Sequence, residues 1–252
     1  TLERRKNEMI TVIVHEFRTP LNVITNAADL IASGLLAKEA VKDLSQTLTT
    51  SVSKLTKLVG EIKNLSLISN EAAPVAFEKF DVPELVRSLQ EQFVAVAEAR
   101  SLSFHFECSP DTPCVRGDKG LISIVLNNLL ANAIRFTPDG GEIRLVTNEM
   151  PGLVQFEVYD TGIGIPAEHL TAIFEKFYEV GDALQHSSGQ YEFKSGGLGI
   201  GLATAKDILA RHGTALEVES EVDRGSVFRF CLEVVEGEVQ VRRSDSSGAG
   251  AE

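Results

Sequence analysis

Residues 14–21 read Val14-His15-Glu16-Phe17-Arg18-Thr19-Pro20-Leu21 and lie inside a helical apolar pattern. Ile10, Ile13, Phe17, Ile24 and Ile31 recur at spacings of three, four and multiples of seven, flanked by Val14, Leu21 and Ala28. That period belongs to a helix burying one stripe in a bundle or coiled coil. With Ile10 as the first heptad position, His15 is the sixth and points away from the seam. Glu16 is its neighbour, and Thr19 lies one turn further along the same face, because residues four apart are stacked. Pro20 removes the hydrogen bond to the carbonyl of Glu16, at a cost of about 3 kcal/mol. A helix that keeps a proline beside an outward His, Glu and Thr is expected to be bent there for use. A lone surface His is usually decoration; this one has a carboxylate and a hydroxyl beside it.

Outward from this stretch, the first helix is expected to run to about Ser33, with Gly34 as its stop and a short turn over residues 35–38. A second periodic run follows: Val41, Leu44, Leu48, Leu55, Leu58, Ile62 and Leu65, with Ser51 polar at one seam position. Two long amphipathic helices with a short connection make an antiparallel hairpin. Val14, Leu21, Val52 and Val59 broaden both stripes beyond what one partner helix covers. Two hairpins forming a four-helix bundle would cover them, which predicts a homodimer. The heptads stop around Glu71-Ala72-Ala73-Pro74, setting a first domain over residues 1–72.

Composition limits what these helices serve. The chain has 252 residues, 43% of them hydrophobic, enough for one large or two ordinary domains. A net charge of −12 argues against nonspecific binding of nucleic acid or anionic membrane. No apolar run approaches the roughly 18 residues needed to span a bilayer. The opening Thr1-Leu2-Glu3-Arg4-Arg5-Lys6 reads as mid-helix, so an upstream part is expected, and with it any membrane anchor of the parent protein. Cys108, Cys114 and Cys231 lack metal-ligand spacing; Cys108 and Cys231 lie in apolar, strand-like runs and read as small core residues of a reducing, cytoplasmic compartment.

Beyond residue 73 the pattern becomes mixed, over a second domain expected at 73–236. Asp81-Val82-Pro83-Glu84 opens a helix, with a cap and then a proline in the first turn. Strands are expected at 103–108, 142–147, 154–159, 216–220 and 226–234, and helices at 120–136, 167–177 and 201–212. The glycine- and polar-rich stretch 181–197 is too long for an ordinary connection and reads as a lid. The Ser- and Gly-rich tail, 237–252, has the composition of a disordered segment. Strands with helices on one face give an α+β sandwich.

Three clusters carry chemistry in this second domain. On the helix at 120–136, Asn128 and Asn132 share a face, with Arg135 one turn beyond. Amide oxygens suit Mg²⁺ when phosphates complete its shell, and a guanidinium suits phosphate oxygens. Asp160-Thr161-Gly162-Ile163-Gly164-Ile165-Pro166 follows a strand directly. Its glycines allow a ligand close to the backbone, and Asp160 can accept from an exocyclic amine such as adenine's. Pro166 and the flanking order exclude a dinucleotide-binding βαβ unit. Gly196-Gly197-Leu198-Gly199-Ile200-Gly201 leads into a helix and offers backbone N–H groups to an anion. It lacks the Gly-Lys-Ser/Thr ending of a P-loop.

In order and approximate spacing these motifs resemble the sensor histidine kinases of two-component systems. His15 to Leu21 resembles the phosphoacceptor box, Asn128 to Ala133 the N box, and Asp160 to Gly164 the first glycine box. Phe174-Glu175-Lys176-Phe177 resembles the F box, and Gly197 to Gly201 the second glycine box. The resemblance implies a dimerisation and histidine-phosphotransfer hairpin, followed by an ATP-binding domain shared with type II topoisomerases and heat-shock chaperone ATPases. It implies ATP and Mg²⁺ as cofactors and a response regulator's receiver domain as partner. By match, His15 would be the nucleophile, Glu16 its base, and Thr19 would orient water to dephosphorylate the partner. Asn132 would hold Mg²⁺ with Asn128 assisting, and Arg135 would face phosphate. Asp160, Gly162 and Gly164 would form the base pocket; Lys176, Phe177, Gly197, Leu198, Gly199 and Gly201 would complete the nucleotide site. Val14, Phe17 and Arg135 depart from the family's commoner Ser, Leu and Lys. Two other readings stay open: a dimeric scaffold that transfers nothing, and a topoisomerase-like ATPase clamp. The clamp enzymes use a Glu where this chain has Asn128, and they lack an exposed His hairpin.

Overall fold

The computed structural model describes residues 2–33, 38–69, 74–178 and 199–235. Two long helices come first, α1 (Leu2–Ala32) and α2 (Lys38–Ser69), packed side by side. The helix α1 continues unbroken through Pro20, which is buried. Pro20, Ala27, Ser51 and Leu58 are the buried residues among those of the hairpin whose side chains are described, and the Ser51 hydroxyl meets its own need by donating to Thr47 O at 2.9 Å. Ile13, Phe17, Ile24, Leu44, Leu48, Leu55 and Ile62 are half-buried, as the heptads require. Ile10, Ile31 and Val41, expected in the seam, are exposed in the single chain, together with Val14, Leu21, Val52 and Val59. One partner helix covers only part of each stripe.

The remaining elements in chain order are β1 (Glu78–Phe80), α3 (Val82–Ala99), β2 (Ser103–Glu107), β3 (Val115–Gly117), α4 (Lys119–Phe136), β4 (Glu142–Met150), β5 (Leu153–Asp160), α5 (Gly201–Arg211), β6 (Glu217–Glu221) and β7 (Gly225–Glu233). Strands order as β2-β4-β5-β7-β6 in one mixed sheet, with β2 parallel to β4 and the other pairs antiparallel. A separate ribbon pairs β1 with β3. The sequence reading missed both of these strands, because three residues carry too little alternation to register.

Helices α3 and α4 start where an aspartate caps them. Asp81 Oδ1 accepts from Glu84 N at 2.7 Å and Asp118 Oδ1 from Leu121 N at 3.0 Å, each satisfying an otherwise orphan donor. The core lies between the helices and one sheet face. Leu85, Leu89 and Phe93 of α3 and Ile122, Leu126, Leu129 and Ile134 of α4 join Leu145, Phe156 and Phe230 from the strands. Each such side chain contributes about 1.5–3 kcal/mol on burial. The expected helix over 167–177 is instead two 3₁₀ turns, Ala167–His169 and Ala172–Phe174. Neither has a side-chain cap and only Ile173 is buried there, so nothing repays extending a helix.

Cys108, Cys114 and Cys231 are free and half-buried, and burial raises the Cys231 thiol above its ordinary pKa. No helix among the described residues is long and apolar enough to cross a membrane. The stop at Gly34, residues 71–73 of the expected boundary, the lid over 181–197 and the tail over 237–252 lie outside the described residues, and Gly197 and Leu198 with them.

Candidate functional site

Two groups of residues matter, one on the hairpin and one on the sheet domain. On α1 the His15 side chain is 75% exposed, as its heptad position predicts. Its Nδ1 lies 3.7 Å from Glu16 Oε1, and the other carboxylate oxygen of Glu16 lies 3.7 Å from Lys54 Nζ of α2. Both separations are longer than a hydrogen bond. Lys54 is a participant the sequence reading missed; a lysine inside a heptad repeat carries no signal of which carboxylate it will face. The Thr19 hydroxyl donates to His15 O at 3.3 Å, one turn back.

In the sheet domain the chain brings Asn128 to the mouth of α5: a Cβ on Gly201 would stand 3.5 Å from Asn128 Oδ1. Asn132 lies one turn along the same face of α4, and both amides are half-buried and free of side-chain hydrogen bonds to described residues. Arg135 follows, its guanidinium 5.6 Å from the Phe136 ring centre. Among the described residues, no side chain caps the first turn of α5, the end of a helix at which N–H groups suit an anion.

Asp160 ends β5 and is buried, 5% exposed. Its Oδ1 accepts from Gly162 N at 2.8 Å, and Ser226 supplies a second backbone donor. Burial outweighs these donors and pushes its carboxyl from 3.8 up to about 6. A shielded carboxylate with lone pairs to spare is a specific acceptor for an amino group. Next to it Gly162 has no room for a side chain, since a Cβ would lie 2.5 Å from Phe136 O. Gly164 has φ +67°, and a Cβ there would stand 2.0 Å from Glu221 O. The loop therefore sits hard against both α4 and the end of β6.

The F-box residues are placed differently. Lys176 Nζ pairs with Asp207 of α5 at 3.1 Å, and Phe177 N donates to Gly199 O at 2.9 Å, tying together the two roots of the 179–198 segment. Phe177 also packs with Ile13, Phe17 and Ile62 around buried Leu58 and Ile200. The Phe177 and Ile200 end of the sheet domain thus rests on the hairpin, with Phe17 two residues along α1 from His15. Heptad counting assigns Phe17 to a helix seam and gives no hint of this second contact.

Comparison with known proteins agrees with this geometry. Residues 5–71 match the His Kinase A (phospho-acceptor) domain, and residues 117–236 match the histidine kinase-, DNA gyrase B-, and HSP90-like ATPase family. The chain is 31% identical over 234 residues to the alginate biosynthesis sensor protein KinB of Pseudomonas aeruginosa, covering 92% of this chain and 38% of KinB. It is 30% identical over 224 residues to the sensor histidine kinase RcsC of Escherichia coli K12, covering 88% of this chain and 23% of RcsC. The chain therefore spans well under half the length of these relatives. A crystal structure of the histidine kinase ThkA in complex with the response regulator protein TrrA superposes with a TM-score of 0.69 at 25% identity, over 92% of this chain and 64% of that one. A phosphoacceptor hairpin joined to an ATPase domain of this kind places the chain in the sensor histidine kinase family of two-component systems, as a catalytic core.

Proposed function

We propose that this chain transfers the γ-phosphoryl group of ATP to His15 and then to an aspartate of a response regulator. The observation that carries the reading is the pairing of an exposed imidazole flanked by Glu16 with a separate cradle formed by Asn128, Asn132, Asp160 and the uncapped start of α5. Asp160 holds the adenine amino group, while Gly162 and Gly164 shape the base pocket. The phosphates lie toward Gly199, Gly201 and the preceding Gly197 and Leu198, with Arg135 nearby. Lys176 and Phe177 act at the roots of the lid.

The donor set fits Mg²⁺: two neutral amides on one helix face, to be completed by phosphate oxygens, without any cluster of three His, Cys, Asp or Glu among the described residues. Asn132 would hold the ion with Asn128 beside it, and bound there Mg²⁺ supplies neutralisation of phosphate charge. A neutral imidazole nitrogen of His15 attacks phosphorus in line; the N–P bond forms as the bond to the ADP oxygen breaks. Glu16 accepts the proton that leaves the other ring nitrogen. Positioning and charge neutralisation supply most of the acceleration in such a transfer. Because nucleophile and cradle stand on separate domains, transfer runs through a movement of the sheet domain along the hairpin.

The exposed residues Ile10, Val14, Leu21, Val52 and Val59 support dimerisation through a four-helix bundle. ThkA's capture with a response regulator supports a receiver domain as the acceptor. Thr19 is assigned to orient water when the regulator is dephosphorylated. The domain limits 1–72 and 73–236 follow from the same reading, and the chain acts in the cytoplasm.

A pulse–chase tests the proposal. Chain labelled from γ-³²P-ATP and freed of nucleotide is expected to lose label to an added receiver domain, where it becomes base-labile. Label that stays on the chain with every receiver tried would favour a scaffold that passes nothing on.

A further inference from the structure

The last turn of α4 poses a problem for its own carbonyls. Ile134 O would accept from residue 138 in a continuing helix, but residue 138 is proline and has no N–H. Phe136 O is taken from outside the helix, by Ile163 N of the glycine loop at 3.1 Å. The side chain of Arg100, at the end of α3, meets part of that need. Arg100 Nη1 donates to Ile134 O at 3.2 Å and Nη2 to Thr137 O at 2.9 Å, while Nε bonds Asp139 Oδ1 at 2.5 Å. The Arg100 side chain is only 11% exposed; its two carbonyl bonds are partly buried, while the bond to Asp139, 70% exposed, faces water.

The turn Arg100 holds is also the wall of the base pocket. Gly162 is packed so closely on Phe136 O that a Cβ would reach within 2.5 Å of it. A second strut lies beside the first: Glu142 N donates to Thr161 Oγ1 at 2.8 Å, Thr161 N to Glu142 O at 3.0 Å, and a Cβ on Gly141 would lie 3.1 Å from the same hydroxyl. The segment 134–142 is thus clamped between Arg100 on one side and the Asp160–Gly164 loop on the other.

We propose that Arg100, which stands behind the turn rather than in the Asp160–Gly164 loop, is a positioning residue for nucleotide binding. It fixes the C-terminal turn of α4 and through it the loop that presents Asp160 and Gly162. The proposal rests on the assignment of that loop as the base pocket. A planar guanidinium can satisfy two diverging carbonyls and a carboxylate at once; an ammonium cannot hold all three in one geometry. A cation is also favoured at a helix C-terminus.

The test uses the full chain and ATP with Mg²⁺ as the probe, by titration calorimetry, alongside hydrogen exchange of the Ile163 amide. Arg100→Met keeps the apolar stem and is expected to weaken ATP binding about tenfold. Arg100→Lys should recover part of that loss, and Ile163 exchange should accelerate in the same order. Autophosphorylation at saturating ATP should stay within about twofold of the wild type, since no transferring group is touched. An Arg100→Met chain that melts lower but binds ATP as the wild type does would overturn the proposal, as would unchanged Ile163 protection. If Arg100→Met does not fold, Arg100→Lys carries the comparison, and wild-type affinity there is equally fatal. Faster Ile163 exchange in a chain whose wild type binds no ATP would instead indict the pocket assignment and leave the clamp standing.

Discussion

At the scale of single residues, Asp160 joins stability to recognition. Its carboxyl is raised to about 6 because burial outweighs two backbone donors. The sign follows from linkage: the folded chain holds this proton more tightly than the unfolded one. The stability Asp160 contributes is therefore fully present below pH 3.8 and lost as pH rises through about 6. Asp160→Asn removes this pH-dependent loss, on the order of 3 kcal/mol. Urea unfolding should show a wild type that weakens between acid and neutral pH, and a variant without that slope. The same substitution should lower ATP affinity at least about tenfold, because an amide presents one acceptor where the carboxylate presents two. Parallel slopes would mean that the carboxyl is not held protonated by burial. Asn132 belongs to the same scale: Asn132→Ala should leave folding intact and abolish Mg²⁺-dependent autophosphorylation. Full activity would remove it from the metal's shell.

At the scale of elements, the glycine loop is the part least able to accept change. Gly164→Ala must hold a left-handed backbone and displace Glu221 O, so it should cost more than about 2 kcal/mol in urea unfolding. A loss under half of that would show the loop to be looser than its packing suggests. The elements differ in how far the sequence revealed them. The paired Asn on α4 and the Asp81 cap follow from spacing and residue type alone, since helical period and side-chain chemistry fix them. Residues 167–177 did not form the expected helix, because apolar spacing does not count how little of that stretch the core can bury. The three-residue strands β1 and β3 have no periodicity to read. Lys54 beside Glu16, and Phe17 against Ile200 and Phe177, are juxtapositions of distant segments. Local pattern constrains what a helix buries, not which neighbour buries it.

At the scale of the whole molecule, the hairpin faces two ways. One part of it carries Leu58, Ile13 and Phe17 against the sheet domain. Elsewhere it exposes Val52 at 52% and Val59 at 56%, an apolar stripe that a second hairpin would cover. Val52→Lys with Val59→Lys should turn a dimer into a folded monomer in sedimentation velocity. A wild type that sediments as a monomer at micromolar concentration would contradict the bundle. The central claim is that phosphate from ATP arrives on the outward imidazole of α1. The most direct measurement is peptide mapping of chain incubated with Mg²⁺ and γ-³²P-ATP, handled at alkaline pH throughout. Acid-labile, base-stable label is expected on the peptide containing His15, and none on a His15→Gln chain that still binds ATP. Label on another residue, or label surviving in His15→Gln, would contradict it.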